Sequence, residues 1–204
     1  MTARLRNLLL GLLSALCLAF AGGVAYVLIT MPESVEATMV GRFELTDADG
    51  KRVTEANFAG RYMLVYFGYT YCPDVCPTEL AKMAAALDTF EEAAPKRAAK
   101  VVPIFISVDP ERDTPERLKD YAELFHPRLV ALTGTAEQIR AAANTYKVYY
   151  AKIYPEGGAT GEGDYLMDHS SQTYLMGPDA RYVALFPSTA TAKDIADALA
   201  RDVK

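Results

Sequence analysis

The chain holds little of what usually announces a binding or catalytic protein. Three cysteines among 204 residues are too few for a disulfide scaffold. Two histidines limit any metal site to two imidazoles. Basic residues are outnumbered, 21 Lys and Arg against 26 Asp and Glu, and they form no cluster. With a formal net charge of −5, nothing suits the chain to a nucleic acid. No internal repeat or low-complexity tract is evident, and GGATGEG at 157–163 reads as a flexible loop.

Charge is missing altogether from Leu8 to Thr30, a run of 23 positions. At ~1.5 Å per residue a helix there extends roughly 34 Å, enough to cross a hydrocarbon core of ~30 Å. Arg4 and Arg6 precede the run and Glu33 and Glu36 follow it, which puts the N-terminus inside and the rest outside. The run exceeds the ~7–15 apolar residues of a signal peptide, and no clear small-x-small cleavage site follows. Bulky Leu16 stands where a lipid-anchored cysteine has a small neighbour, so Cys17 reads as an apolar residue of the span. The expected organisation is a short cytoplasmic N-terminus (1–7), a transmembrane anchor (8–30), a linker (31–41) and an exterior domain (42–204). In a bacterium this is a single-pass inner-membrane protein with its C-terminal domain in the periplasm.

The exterior domain alternates strand and helix patterns. GRFELTDADGKRVTEANFAG reads as a hairpin turning at Asp49-Gly50. YMLVYFGY (62–69) and VVPIFISVD (101–109) are short apolar runs typical of buried strands. Between them Leu80, Met83, Ala84, Leu87 and Phe90 recur at helical spacing over 78–94. Thr114 is a candidate N-cap with Pro115 at the first helical position, and Pro127 stops that helix. A strand in LVALTG, a helix over 135–146, a hairpin around Pro178-Asp179 and a helix over 191–203 complete the order. This predicts a thioredoxin-like α/β sandwich in which residues 148–168 are an insertion.

The chemistry concentrates in YTYCPDVCPTEL, residues 69–80. Cys72 ends the loop after the first buried strand, and Cys76 precedes Pro77, which is expected to open the helix. A helix N-terminus favours thiolate over thiol, which both metal binding and disulfide exchange require. Residues four apart on a helix have Cβ atoms ~5–6 Å apart, whereas a disulfide wants ~3.5–4.5 Å. A shared metal therefore asks for less adjustment than a direct bond, and so short a loop gains little from a disulfide. Of the histidines, His126 in LFHPR sits at a helix end, where a surface or capping role is expected. His169 precedes a strand that enters the sheet beside the dithiol, which makes it a third ligand candidate. Two thiolates and one imidazole suit copper, with zinc a competitor on ligand chemistry alone.

These residues closely resemble the SCO/SenC family of membrane-anchored copper proteins. The likeness rests on the CxxxC of YTYCPDVCPTEL, on SVDPERDTPERLKDY at 107–121 and on DHSSQTYLMGPD at 168–179. It implies a thioredoxin-like fold binding Cu(I) or Cu(II) through Cys72, Cys76 and His169. It further implies work on the dinuclear copper site of cytochrome c oxidase. The implied partners are the copper-site subunit of that oxidase and an upstream copper donor.

A thiol-disulfide reductase using Cys72 and Cys76 is the alternative, and the two activities could coexist because metal binding needs the reduced pair. A peroxiredoxin-type peroxidase is disfavoured, since Tyr69 and Pro73 stand where Ser or Thr should precede each cysteine by three. A sensor lacks a cytoplasmic output domain before the span. Among the neighbours, Asp109 is expected as a turn residue and Asp113 as a cap of the next helix. Asp74 is expected as an exposed loop carboxylate and Met167 as a packed side chain rather than a donor.

Overall fold

In a computed structural model of the chain, the structure describes residues 3–30, 39–154 and 165–204. These fall into two units, 1–35 and 36–204. The first is a single helix, α1 (Ala3–Thr30), whose described side chains, including Cys17, are exposed. Among the described residues no helix is long and apolar enough to cross a membrane. The span expected over 8–30 lies partly outside the described side chains. The loop expected at 157–163 and most of the linker also lie outside the described residues.

The second unit is built on a seven-stranded mixed sheet in the order β2-β1-β5-β4-β3-β8-β9. At its centre β3 (Tyr62–Gly68) and β4 (Val101–Ser107) run parallel and are buried along their whole length. That is why both read as continuous apolar runs rather than alternating ones. β5 (Val130–Thr133) continues the parallel set, and β1 (Glu44–Asp47) pairs antiparallel with it. β1 and β2 (Arg52–Thr54) form the expected hairpin, with Gly50 at φ 77° supplying the turn. On the other side β8 (Thr173–Met176) and β9 (Tyr182–Phe186) form the second expected hairpin.

Successive side chains of β3 point to opposite faces. Phe67 meets Tyr146 of the helix Ala136–Tyr146, with ring centroids 5.2 Å apart. On the opposite face Tyr66 stacks on Phe105, which meets Tyr121 of the helix Pro115–Glu123 at 5.5 Å. This second face also receives α2 (Val75–Ala93), whose Leu80, Met83, Leu87 and Phe90 are buried at the expected spacing. Each such side chain contributes roughly 1.5–3 kcal/mol on leaving water. The C-terminal helix Ala192–Asp202 packs on α2. The thioredoxin-like arrangement expected from the element order is the one the domain adopts.

Two local expectations are corrected. α2 opens at Val75 with Asp74 as N-cap, two residues before Pro77, so Cys76 already lies in its first turn. The third helical position has no intrahelical partner for its N–H, so Pro77 costs nothing there. Residues 148–168 are also not a plain insertion. They contribute β6 (Tyr150–Ile153) and β7 (Leu166–His169), a separate antiparallel ribbon in which His169 pairs with Tyr150. His169 thus ends a ribbon strand rather than lying in a loop.

Candidate metal centre

Three elements converge on the cysteine pair. The loop after β3 carries Cys72, whose amide donates to the Tyr69 carbonyl at 3.3 Å. The first turn of α2 carries Cys76, which is fully buried while Cys72 is only partly so. The ribbon carries His169. The Cys76 amide donates to Cys72 Sγ at 3.3 Å, and Cys76 Sγ lies 3.3 Å from His169 Nε2. The two sulfurs and an imidazole nitrogen all fall within 4.8 Å of one another. The metal-sulfur distance of ~2.3 Å lets two sulfurs flank one ion at up to roughly 4.6 Å, so the set closes on an ion with little movement. Cys72 and Cys76 are free thiols, not a disulfide.

The local bonds decide which groups are ready to donate. His169 Nδ1 lies 3.1 Å from the Ser170 carbonyl oxygen, which can only accept. Nδ1 therefore carries a proton whether the ring is neutral or charged, while Nε2 offers the sulfurs a lone pair when the ring is neutral and an N–H donor when it is charged. The rings of Tyr66 and Tyr69 hold the imidazole edge-on, with centroids at 6.2 and 5.9 Å. Cys72 is pulled down to about 3, first by the hydrogen bond from the Cys76 thiol, then by His169 and the amides of Cys76 and Asp74. Cys76 moves the opposite way, because its thiol donates a hydrogen bond to Cys72 and is buried. The reduced pair is one half-buried thiolate and one sheltered thiol. A cleft of about 260 Å³ beside Cys72 and His169, lined also by Val75, Ile153 and Leu166, gives access from solvent.

A buried polar frame holds the loop. Asp113 is fully buried and accepts from the Ser107 hydroxyl at 2.6 Å, the Thr70 hydroxyl at 2.6 Å and the Thr70 amide at 3.1 Å. Burial pushes its carboxyl up, against the pull of those donors. The expected capping role is thus corrected: Thr114 caps the helix, accepting from the Arg117 amide at 3.3 Å, and Asp113 turns inward instead. Asp109 is the expected turn residue, its carbonyl accepting from the Asp113 amide at 2.9 Å. Its carboxylate also takes Arg112 Nε at 2.6 Å and the Tyr165 hydroxyl at 2.7 Å. Arg112 reaches on to the Tyr165 carbonyl at 2.9 Å, with its guanidinium 3.7 Å over that ring. This cluster fastens the turn after β4 to the chain that enters β7.

The remaining candidates stand apart. Asp74 is exposed and makes no side-chain cap bond, and Met167 is buried in the core as expected. His126 is buried rather than on the surface. Its Nδ1 accepts from the Arg128 amide at 3.0 Å, a turn contact beyond the end of the helix Pro115–Glu123 rather than a cap of it. The turn at Pro127 folds the ring back against Asp88 of α2, at 3.6 Å. No periodicity signals Tyr165, Thr70 or Ser107 as parts of the frame.

Comparison with known proteins converges on one family. The family described as SCO1/SenC matches residues 31–204. This chain belongs to the SCO1/SenC family. Among its relatives, the mitochondrial SCO1 homolog 1 of Arabidopsis thaliana is 42% identical over 173 residues, covering 85% of this chain and 49% of that protein. The chain spans about half the length of the curated relatives it matches. The structure of Bradyrhizobium japonicum ScoI with copper bound superposes with a TM-score of 0.69 at 43% identity, over 80% of this chain and 99% of that one. BsSco, described as having a disulfide switch and as a member of the Sco family of cytochrome c oxidase assembly proteins, gives a TM-score of 0.57 at 26% identity. That match covers 79% of this chain and 94% of BsSco.

Proposed function

We propose that this SCO1/SenC protein binds one copper ion through Cys72, Cys76 and His169 and passes it to the dinuclear copper site of cytochrome c oxidase. The observation that carries the reading is the convergence of three soft or borderline donors within 4.8 Å at the mouth of a cleft. Sulfur donors favour Cu(I), and an added imidazole also accommodates Cu(II). Relatives support it in two ways: the Bradyrhizobium protein has a structure with copper bound, and BsSco is described as a member of a family of oxidase assembly proteins.

The chain's own groups divide the work. Cys72 is deprotonated and partly exposed, so it is the first contact for an incoming ion and the last for a departing one. Cys76 supplies the sheltered second sulfur after losing its proton. Neutral His169 brings a preset lone pair, its tautomer fixed by Ser170. A delivery site must bind tightly yet release, which three donors at a cleft mouth meet better than a closed cage. Oxidation of Cys72 and Cys76 to a disulfide removes both sulfur donors at once. A purely reducing role is less favoured, because it leaves the aim of His169 at the sulfurs without a purpose.

In this reading residues 8–30 anchor the protein in the bacterial inner membrane by one span, with 1–7 inside and 42–204 in the periplasm. Its partners there are a copper donor and the copper-site subunit of the oxidase. The test is titration of the reduced full-length chain with Cu(I) and Cu(II). We expect one copper per chain, lost or strongly weakened by Cys72→Ser, Cys76→Ser and His169→Ala alike. Copper retention undiminished in His169→Ala would sink the three-donor site.

A further inference from the structure

Tyr66 touches two of the three donor residues and has an unspent hydroxyl. It stands on β3 facing the centre, is fully buried, and its ring meets the His169 ring at 6.2 Å. Its hydroxyl lies near Cys76, yet among the described residues it has no hydrogen-bond partner of good geometry, that sulfur included. A buried hydroxyl without a partner is costly and uncommon. Backbone shape keeps the sulfur and the ring together. A Cβ at Gly68, two residues along the same face, would lie 2.8 Å from Cys76 Sγ and 3.0 Å from Tyr66 Cε1. Gly68 therefore leaves open the slot in which they meet.

A neutral thiol is a weak acceptor, whereas a thiolate takes a strong, charge-assisted hydrogen bond. A cysteine sulfur that holds a metal is a thiolate, so loading would supply the acceptor that the buried Tyr66 hydroxyl lacks among the described residues. We propose that Tyr66 is a positioning residue of the centre, its hydroxyl donating to the Cys76 sulfur only when that sulfur is a metal-bound thiolate. The proton lost by Cys76 leaves to solvent, and the tyrosine keeps its own. This inference rests on the copper reading above. It assigns Tyr66 a preference for the loaded state, and therefore a share in how firmly the inner sulfur holds the ion.

The experiment compares the full-length wild type with Tyr66→Phe, which removes one oxygen and keeps the ring. Tyr121→Phe serves as control, since it deletes a second buried hydroxyl without a partner, on the helix behind Phe105. We expect metal-free Tyr66→Phe to melt at or above the wild-type temperature, because an unpaired buried hydroxyl is gone. Its affinity for Cu(I), measured by competition with a colorimetric chelator, should fall about tenfold or more, a charge-assisted bond being at stake. The sulfur-to-Cu(II) absorption band should move to lower energy, since a thiolate relieved of a donor is the better electron source. Tyr121→Phe should change neither. In wild-type protein the Tyr66 hydroxyl proton should become a slowly exchanging NMR resonance on Cu(I) loading. Unchanged affinity and band in Tyr66→Phe beside a copper-binding wild type would overturn this inference alone. A destabilised metal-free Tyr66→Phe would show that the hydroxyl is already bonded, and would overturn it too. A wild type that takes up no copper overturns both this and the functional reading.

Discussion

The Thr70 hydroxyl donates to the Asp113 carboxylate at 2.6 Å, tying the loop that carries Cys72 to the turn after β4. Ser107 holds the same carboxylate from the strand end, so the loop is fixed to the sheet through one buried group. Thr70→Val removes one donor from a buried carboxylate. Hydrogen bonds to charged groups contribute ~1.5–3 kcal/mol, so we expect a Tm lower by roughly 3–12 °C at ~2–4 °C per kcal/mol. Calorimetry on the reduced chain checks this. The same variant should weaken copper retention, since Cys72 loses the anchor of its loop.

Asp113 also gives a pH signature. Burial raises its carboxyl in the folded chain above the unfolded value. A raised folded pKa contributes stability that is fully present below the unfolded pKa, near ~3.9, and lost as pH rises through the folded one. Urea midpoints of wild type should carry this decline with rising pH, and Asp113→Asn should remove it. A variant whose midpoints follow the wild-type slope would show that Asp113 is already ionised throughout.

Cys72 should behave as a thiolate well below neutrality. Its pKa is drawn down to about 3, first by the Cys76 thiol. Alkylation of the reduced, metal-free chain by iodoacetamide should therefore modify Cys72 first, at a rate nearly constant from pH 5 to 8. An ordinary thiol with a pKa near ~8.5 slows about tenfold per pH unit over most of that range. Peptide mass spectrometry distinguishes the two sulfurs. His169→Ala should restore part of the ordinary pH dependence, because the imidazole also holds Cys72 down.

Most of this fold was legible because its signals are local. The uninterrupted apolar runs of β3 and β4 identified the buried centre, and Asp49-Gly50 and Pro178-Asp179 marked both hairpins. Thr114 and Pro115 gave a helix start to the residue. The meeting of Cys72, Cys76 and His169 was readable too, since of the two histidines it is His169 that precedes a strand entering the sheet beside the dithiol. What escaped was non-local. β6 and β7 are four-residue strands with partly exposed side chains, and neither carries a long apolar pattern. Asp109 finds Tyr165 across 56 residues, and Asp113 finds Thr70 across 43, partnerships that no spacing encodes. Asp113 was misread for a physical reason. An acidic residue beside a Thr-Pro helix start looks like a cap, but Thr114 fills that role and frees the carboxylate to turn inward.

Gly68 offers a test of space rather than of chemistry. Its backbone does not need glycine, since among the described glycines positive φ occurs only at Gly50 and Gly60. Its Cβ position is nevertheless closed by the Cys76 sulfur at 2.8 Å and by Phe105 Cε2 at 3.0 Å. Gly68→Ala should fold, at a cost of ~1–3 kcal/mol for overpacking. The sulfur must shift, so copper affinity should fall while Cys72 alkylation stays near wild type. Equal loss at both would mean that the whole loop, not the inner sulfur, had moved.

Copper should stabilise the fold, because the three donors come from the loop after β3, from α2 and from the ribbon, and only the folded chain brings them together. A ligand at 1,000 times its dissociation constant adds ~4 kcal/mol, or roughly 8–16 °C in a domain of this size. We expect that rise on Cu(I) loading of the reduced chain, its reversal by a chelator, and its absence in the oxidised chain. Zinc is the informative comparison. It accepts the same donors but prefers four ligands, so a site with three should gain less from zinc than from Cu(I). A larger rise with zinc would mean that a fourth donor closes over the ion. Such a cage would suit retention better than delivery.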